Sequence, residues 1–189
     1  MEVDKIEDRL YECSPYVRAT GFTQLMLCVL NNDLDTSSKY LKEINAKNSI
    51  GWTALHIACR NSKTFSSEEM VKFLLEKGAD PNVKDNFNSV PLHSASAVSN
   101  EDSSLATVEL LLKNGADPNV KGQFDWTPLH CASIFVTSSL ETVKLLLQYN
   151  ASPIDTKTQI LKLEIDIESL VEENKRLQQK ILLLENEED

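Results

Sequence analysis

The pattern of apolar residues divides the chain into two unlike parts. Up to about residue 153, short apolar runs recur at intervals of 37 and then 35 residues: Val71–Leu75, Val108–Leu112 and Val143–Leu147. Each run is followed by a glycine or asparagine and then by a proline, which is how many helices end. From residue 154 the spacing changes and neither glycine nor proline occurs. The first part therefore predicts several short helices, and the second predicts one long helix.

A second motif recurs in step with these runs. It reads Thr53-Ala-Leu-His56, Val90-Pro-Leu-His93 and Thr127-Pro-Leu-His130, with 37 residues between successive histidines. Gly78-Ala-Asp-Pro-Asn82 and Gly115-Ala-Asp-Pro-Asn119 keep the same interval, and Asn150–Pro153 is a reduced copy. Threonine caps helices, and proline is favoured at the first helical position, so each tetrapeptide predicts the start of another short helix. The repeated unit is a helix pair followed by a polar turn.

This unit resembles the ankyrin repeat, whose TPLH, LLL and GADxN landmarks it carries over roughly residues 20–153. The resemblance implies an all-α fold, an α-solenoid of helix–turn–helix repeats with β-turns between them. Four repeats are predicted, at about 20–48, 49–85, 86–122 and 123–153, after an N-terminal capping helix or segment at 1–19. The period exceeds the usual ~33 residues. Long repeats of this kind are similar to those of ankyrin proteins from giant DNA viruses of amoebae.

Residues 156–187 are predicted to form a coiled-coil helix, with a capping-box match at Thr156 and Gln159. Residues spaced alternately by three and four form a heptad seam: Ile160, Leu163, Ile167, Leu170, Asn174, Leu177, Ile181 and Leu184. β-branched residues at one position, leucines at the other and one asparagine favour a parallel homodimer. Leu161 and Ile165 lie off the seam and leave a second geometry open, in which the helix folds back and caps the last repeat of a monomer.

Composition and charge narrow the classes of function. The formal net charge is −10, which disfavours binding to nucleic acid or to an anionic membrane surface. No apolar stretch is long enough to span a bilayer, and the charged N-terminus lacks a signal-peptide core. We therefore expect a cytoplasmic protein, in the host cytoplasm if it is viral. The four cysteines have no metal-like spacing and are interpreted as thiols.

The three repeat histidines are the main candidates for site chemistry. They occupy equivalent positions in stacked units, about a repeat apart, so one metal ion with bonds of ~2 Å cannot bind all of them. The resemblance implies instead that these histidines hydrogen-bond neighbouring turns. The sequence shows no nucleophile–base pairing, phosphate-binding glycine loop or acid dyad. We expect no enzymatic activity, no metal and no cofactor.

A candidate partner-binding face lies at the turns and the adjacent inner helices. Its members recur at equivalent positions in the repeats: Ile50, Trp52, Phe87, Ser89, Phe124, Trp126, Ala97, Val98, Ile134 and Phe135. The resemblance implies that this side binds proteins, and contiguous exposed aromatic residues mark interaction sites. Two alternatives remain. The tryptophans can simply cover the adjacent turn, and the C-terminal helix can bury Ile134 and Phe135.

These patterns together predict a non-enzymatic protein–protein interaction scaffold or adaptor, in which dimerisation would add avidity for a multivalent target. One alternative is a viral or effector-type host regulator or ubiquitin-ligase adaptor, although no F-box-like C-terminal domain is visible. Another is the monomer whose C-terminal helix caps the solenoid.

Overall fold

The computed structural model describes residues 19–62, 66–97, 105–134 and 140–187. The side chains of 134, 156–157, 159–160 and 181–187 are outside this description. Most of the capping segment predicted at 1–19 lies outside the described residues, as do Val98 and Phe135 of the predicted binding face.

The described residues form nine α-helices and two short 3₁₀ segments, without a strand, as the all-α prediction requires. The helices are α1 Gln24–Leu30, α2 Leu34–Ser37, α3 Ala54–Arg60, α4 Glu68–Glu76, α5 Pro91–Ala97, α6 Leu105–Lys113, α7 Pro128–Ile134, α8 Leu140–Gln148 and α9 Thr156–Glu187. The 3₁₀ segments are Ser38–Glu43, which follows α2, and Gln123–Asp125, which lies in the last turn between repeats.

The helices stack in two rows, as the repeat pattern predicts. Helices α1, α3, α5 and α7 contact one another in sequence as the inner row, and α4, α6 and α8 form the outer row. Equivalent leucines of both rows are fully buried: Leu55, Leu92 and Leu129 inside, and Leu74, Leu111 and Leu146 outside. Each buried leucine contributes ~1.5–3 kcal/mol of transfer free energy. The core is therefore continuous from one repeat to the next.

Local hydrogen bonds fix where the helices begin. The Oγ1 atom of Thr23 accepts from the Met26 N–H (3.2 Å), and the Oγ atom of Ser67 accepts from the Met70 N–H (3.1 Å). At the start of α9, the Oδ1 atom of Asp155 accepts from the Thr158 N–H (2.8 Å), while the Thr158 hydroxyl oxygen accepts from the Asp155 N–H (3.1 Å). The capping box thus joins Asp155 and Thr158. The side chains of Thr156 and Gln159, where the sequence pattern predicts the box, lie outside the described residues.

Candidate functional site

Each turn between repeats is closed by one short backbone hydrogen bond. The amide N–H groups of Asn48, Asp85 and Gly122 donate to the carbonyl oxygens four residues later, over 2.9, 2.8 and 2.8 Å. The intervening residues form the tip of each turn, where the sequence places Ile50, Phe87 and Phe124. The three tips therefore have equivalent positions along the stack.

Side chains hold the first two tips in shape. The Oδ1 atom of Asn48 accepts from the N–H groups of Ile50 (3.1 Å) and Trp52 (2.9 Å). The Oδ1 atom of Asp85 accepts in the same way from Phe87 and Ser89, both at 2.8 Å. This is the Asx-turn arrangement that favours Asn and Asp in such loops.

The third tip is built differently because Gly122 has no side chain to accept these bonds. A Cβ atom at this position would lie 2.9 Å from the Ser89 Oγ atom and 3.1 Å from the His93 Nε2 atom, so the neighbouring repeat leaves little room. Here Phe124 and Asp125 both adopt left-handed backbone conformations, with φ angles of 58° and 59°. That conformation is unusual for a bulky residue. The Phe124 ring consequently stands 80% exposed to solvent.

The other predicted binding residues differ in exposure. Phe87 is 38% exposed, and the remaining described members are partly buried: Ile50, Trp52, Ser89, Ala97 and Trp126. Ile134 ends α7, but its side chain lies outside the description. The most exposed apolar surface of the described turns is thus concentrated at the two phenylalanines.

Trp52 has a structural contact of its own. Its Nε1–H donates to the Asp85 Oδ2 atom over 3.1 Å, and its ring stacks on the His56 ring with centroids 6.4 Å apart and planes 8° from parallel. Trp52 therefore contacts both the adjacent turn and helix α3 of its own repeat.

Two of the repeat histidines, His56 and His93, link an inner helix to the next turn. His56 accepts from the Thr53 N–H at Nδ1 (3.2 Å) and donates from Nε2 to the Ser89 carbonyl (3.3 Å). His93 does the same with the Val90 N–H (3.1 Å) and the Trp126 carbonyl (3.0 Å). A backbone N–H can only donate and a carbonyl can only accept, so both rings are neutral with the proton on Nε2.

Burial reinforces that neutral form. Removal of the His56 ring from water lowers its pKa to about 4, although the Ser89 carbonyl and the Asp85 carboxylate act in the opposite direction. Burial also lowers the pKa of His93. Both rings use their two nitrogens to hold backbone groups. Their role is therefore to hold the turns in place.

A further set of polar contacts between repeats, the asparagine ladder, is made by Asn82 and Asn119 of the GADPN motifs and by Asn45, the equivalent residue 37 positions before Asn82. The Oδ1 atoms of Asn45, Asn82 and Asn119 accept from backbone N–H groups of the following repeat, over 3.0, 2.9 and 2.8 Å. The side-chain amides of Asn82 and Asn119 also donate to carbonyls there. These contacts brace one turn against the next and keep the tips in register.

The remaining candidate groups offer little reactivity. The thiols of Cys28, Cys59 and Cys131 are buried, and burial raises the pKa of each, to about 11 for Cys131. Buried thiols with raised pKa values are poor nucleophiles. Over the described ranges, no three His, Cys, Asp or Glu side chains cluster closely enough to hold a metal ion. Over the same ranges, no helix has the length and apolar character needed to cross a bilayer.

Helix α9 begins against the last repeat and then leaves it. Leu161 and Ile165 pack on the hydrophobic core, and the Lys162 Nζ atom donates to the Leu147 carbonyl at the end of α8 (2.9 Å). Beyond this segment the helix is exposed along its whole described length. The exposed large apolar side chains are Leu163, Ile167, Leu170, Val171 and Leu177, the first of them 61% exposed. Asn174 is also exposed, whereas the side chains of Ile160, Ile181 and Leu184 are outside the description.

Comparison with known proteins places these features in a family. A family model of three ankyrin repeats matches residues 5–85 and 67–158. Three ankyrin repeat proteins of Acanthamoeba polyphaga mimivirus are similar to parts of the chain. L91 is 37% identical over 89 residues, L289 is 42% identical over 76 residues, and L92 is 62% identical over 42 residues.

These stretches cover 40%, 34% and 22% of this chain, and 14%, 14% and 9% of the relatives. The matched region is thus a small part of each relative's length. The relatives bear out the likeness to ankyrin proteins of giant amoebal viruses. Because the family model covers most of the sequence and the helix pairs stack as that family requires, this chain belongs to the ankyrin repeat family.

Proposed function

We propose that this chain is a non-enzymatic scaffold that binds a protein partner through its turn tips and the adjacent inner helices, and that two copies pair through α9. Ankyrin repeats generally mediate protein–protein interaction and are typically without enzymatic activity. The buried free thiols of Cys28 and Cys59 support a reducing compartment such as the cytoplasm.

The observation that carries the binding face is the conformation of Phe124. A left-handed backbone costs an ordinary residue ~1–2 kcal/mol relative to the right-handed one, and Phe124 recovers none of this by burial, since it is 80% exposed. Strained residues concentrate at functional sites. An exposed aromatic ring on a closed, hydrogen-bonded turn is well suited to anchor a partner.

Phe87 extends this anchor along the stack. It occupies the equivalent tip of the preceding repeat and is also exposed. The asparagine ladder holds the two tips in register through the hydrogen bond from the Asp117 N–H to the Asn82 side chain. The two rings therefore present a preorganised pair of apolar contacts, which reduces the entropy lost on binding.

Pairing through α9 is supported by its uncovered seam. Leu163, Ile167, Leu170 and Leu177 occupy the two core heptad positions and are all exposed in a single chain. A second copy would bury them, and Asn174 would pair with its counterpart and select the parallel register. Two paired copies would hold two binding faces and so gain avidity for a target that presents several epitopes.

A host-directed role is a second candidate, favoured by the similarity to mimivirus proteins. In this role, either as a regulator or as a ubiquitin-ligase adaptor, the partner of the turn tips would be a protein of the amoeba. Both candidates use the same surface, so a partner search in amoebal extract addresses them together.

The binding face is tested by changing its two exposed rings. We expect the double variant Phe87→Ala/Phe124→Ala to recover specific partners from Acanthamoeba lysate roughly tenfold less well than the native chain, because loss of two anchor residues costs at least ~1.4 kcal/mol. The measurement is quantitative mass spectrometry of proteins captured by each purified chain. Circular dichroism is expected to be unchanged, since neither ring is buried.

The matched control is Leu105→Ala/Leu140→Ala. These leucines are 38% and 55% exposed, in the same two repeats, but they begin the outer helices α6 and α8. The control is expected to capture the same partners as the native chain. Equal capture of partners by all three chains would show that the turn tips are not the binding face.

A further inference from the structure

Helix α9 has two apolar faces on opposite sides, one packed on the last repeat and one exposed to solvent. Side chains that face the last repeat are Thr158, Leu161, Lys162 and Ile165, of which Thr158 is buried and Leu161 and Ile165 pack on the core. The first described side chain of the heptad seam, Leu163, lies in the same segment and faces solvent. The two faces therefore overlap along the helix axis without sharing a side chain.

The heptad positions show how these faces are related. In the heptad abcdefg, Ile167 takes core position a and Leu163 takes core position d. Thr158 and Ile165 then take position f, Leu161 takes b and Lys162 takes c. At 3.5 residues per turn the centre of the b, c and f positions lies about 180° from the centre of the core positions. The surface that caps the repeats is thus the outer surface of a two-stranded coiled coil.

Polar contacts fix this docking as well as apolar ones. The ammonium group of Lys162 donates to the Leu147 carbonyl in the last turn of α8, where carbonyl groups lack partners within their helix. Its other neighbour is the Asp166 carboxylate at 3.1 Å. Lys162 therefore fixes the orientation of α9 about its own axis relative to the end of the solenoid.

We propose that α9 acts at once as the cap of its own solenoid and as one strand of a parallel homodimer, so that two solenoids are held rigidly on opposite sides of the coiled coil. This inference rests on the proposed pairing of two copies. The occupant of the seam is a second copy, because its heptad pattern of isoleucine, leucine and one asparagine is self-complementary in a parallel pair. The two sequence alternatives, dimer and folded-back cap, are compatible in this arrangement.

The kind of target follows from that geometry. In the dimer the order across the axis is α8, α9, the partner's α9 and the partner's α8, with packed helices ~8–10 Å apart. The ends of the two solenoids are then on the order of 30 Å apart, and no flexible linker allows this distance to vary. Such a pair of binding faces fits a target that presents two copies of its epitope at a fixed spacing, such as a symmetric oligomer.

Leu161 and Leu163 lie in the same helical turn but on different faces, so their variants test the two faces independently. We expect Leu161→Ala to lower the melting temperature of the monomeric chain at high dilution by about 4 °C, with little change in the dimer dissociation constant. We expect Leu163→Ala to raise that constant roughly tenfold or more and to leave the dilute melting temperature unchanged. Alanine keeps the helix propensity in both. Equal effects of both variants on both measurements would overturn the assignment of separate faces.

The distance between the two solenoids is measured directly by double electron–electron resonance spectroscopy on the spin-labelled full chain. A spin label at Gln148→Cys, at the exposed end of α8, is used with Cys13→Ser; the other three cysteines are buried. We expect one narrow intermolecular distance on the order of 30 Å, and a broad distribution when Leu161→Ala and Ile165→Ala are added. A broad distribution in the otherwise native dimer would overturn the rigid cap. The absence of any intermolecular distance would instead contradict the proposed pairing.

Discussion

Replacement of Gly51 by alanine is expected to lower the free energy of unfolding by about 3 kcal/mol. Gly51 has a φ angle of +84°, and a Cβ atom there would lie 2.6 Å from the Asn86 backbone nitrogen. Asn86 donates from that nitrogen to the Ile50 carbonyl (3.1 Å) and from its side chain to the Ser49 carbonyl (2.9 Å). The methyl group would force apart two adjacent turns and strain both hydrogen bonds. Urea denaturation measures the loss.

Gly115→Ala is the matched control. Gly115 has nearly the same φ angle, +83°, but nothing lies within 4 Å of a Cβ atom placed on it. This substitution therefore carries only the cost of the left-handed backbone, ~1 kcal/mol. Equal losses in the two variants would show that the close approach of the turns at Gly51 contributes nothing to stability.

Acidification is expected to destabilise the chain between pH 6.5 and pH 4. Unfolding exposes His56 and His93 and returns their pKa values to ~6.5. Below that pH the unfolded chain therefore binds more protons than the folded chain, in which both rings stay neutral. Stability is therefore complete above pH 6.5 and falls as the pH is lowered. It falls by ~1.4 kcal/mol per pH unit for each such histidine. For His56, whose pKa in the fold is about 4, the total is roughly 3 kcal/mol.

Urea denaturation at fixed protein concentration and a series of pH values measures this slope. The variant His56→Gln removes one titrating group, so it is expected to be less stable at pH 7 but to lose less stability on acidification. Hydrogen bonds from Thr36 lower the pKa of the Asp33 carboxyl, so its contribution falls at lower pH than that of the histidines. A native chain whose stability is constant from pH 6.5 to pH 4.5 would contradict the neutral, buried histidines.

The sequence predicts the repeats because each element leaves a local signal. Thr53, Pro91 and Gly78 mark helix boundaries by their own backbone preferences, and the leucine spacing marks the buried faces. Because these signals recur at an interval of 37 residues, each helix boundary is indicated in more than one repeat. The bracing role of His56 follows from the resemblance to the family, since its partner, the Ser89 carbonyl, lies in the next repeat.

Other features depend on distances that no local pattern contains. The importance of Gly51 comes from the approach of Asn86, 35 residues later, and that of Gly122 comes from the His93 ring. A partial signal exists in the alignment of repeats, because Asn88 and Asp125 occupy the positions equivalent to Gly51 and both adopt positive φ angles. The exposure of Phe124 was expected from its position in a turn, but its strained backbone was not.

The C-terminal helix also has some features that the sequence predicts and others that depend on the fold. The heptad seam and the off-seam pair Leu161 and Ile165 can be read from spacing alone. That the pair docks on α8, with Lys162 bound to the Leu147 carbonyl, depends on how the chain turns after Pro153. The sequence therefore leaves a choice between dimer and cap. In the structure the docked residues and the exposed heptad seam lie on separate faces of the helix.

The molar mass of the full-length chain in solution, from light scattering at tens of micromolar, tests most directly whether α9 joins two binding faces in one scaffold. The control Leu170→Glu/Leu177→Glu alters the seam beyond the docked segment and is expected to give the mass of one chain, 21.2 kDa. For the native chain we expect twice 21.2 kDa. A native chain that also weighs 21.2 kDa would contradict the account.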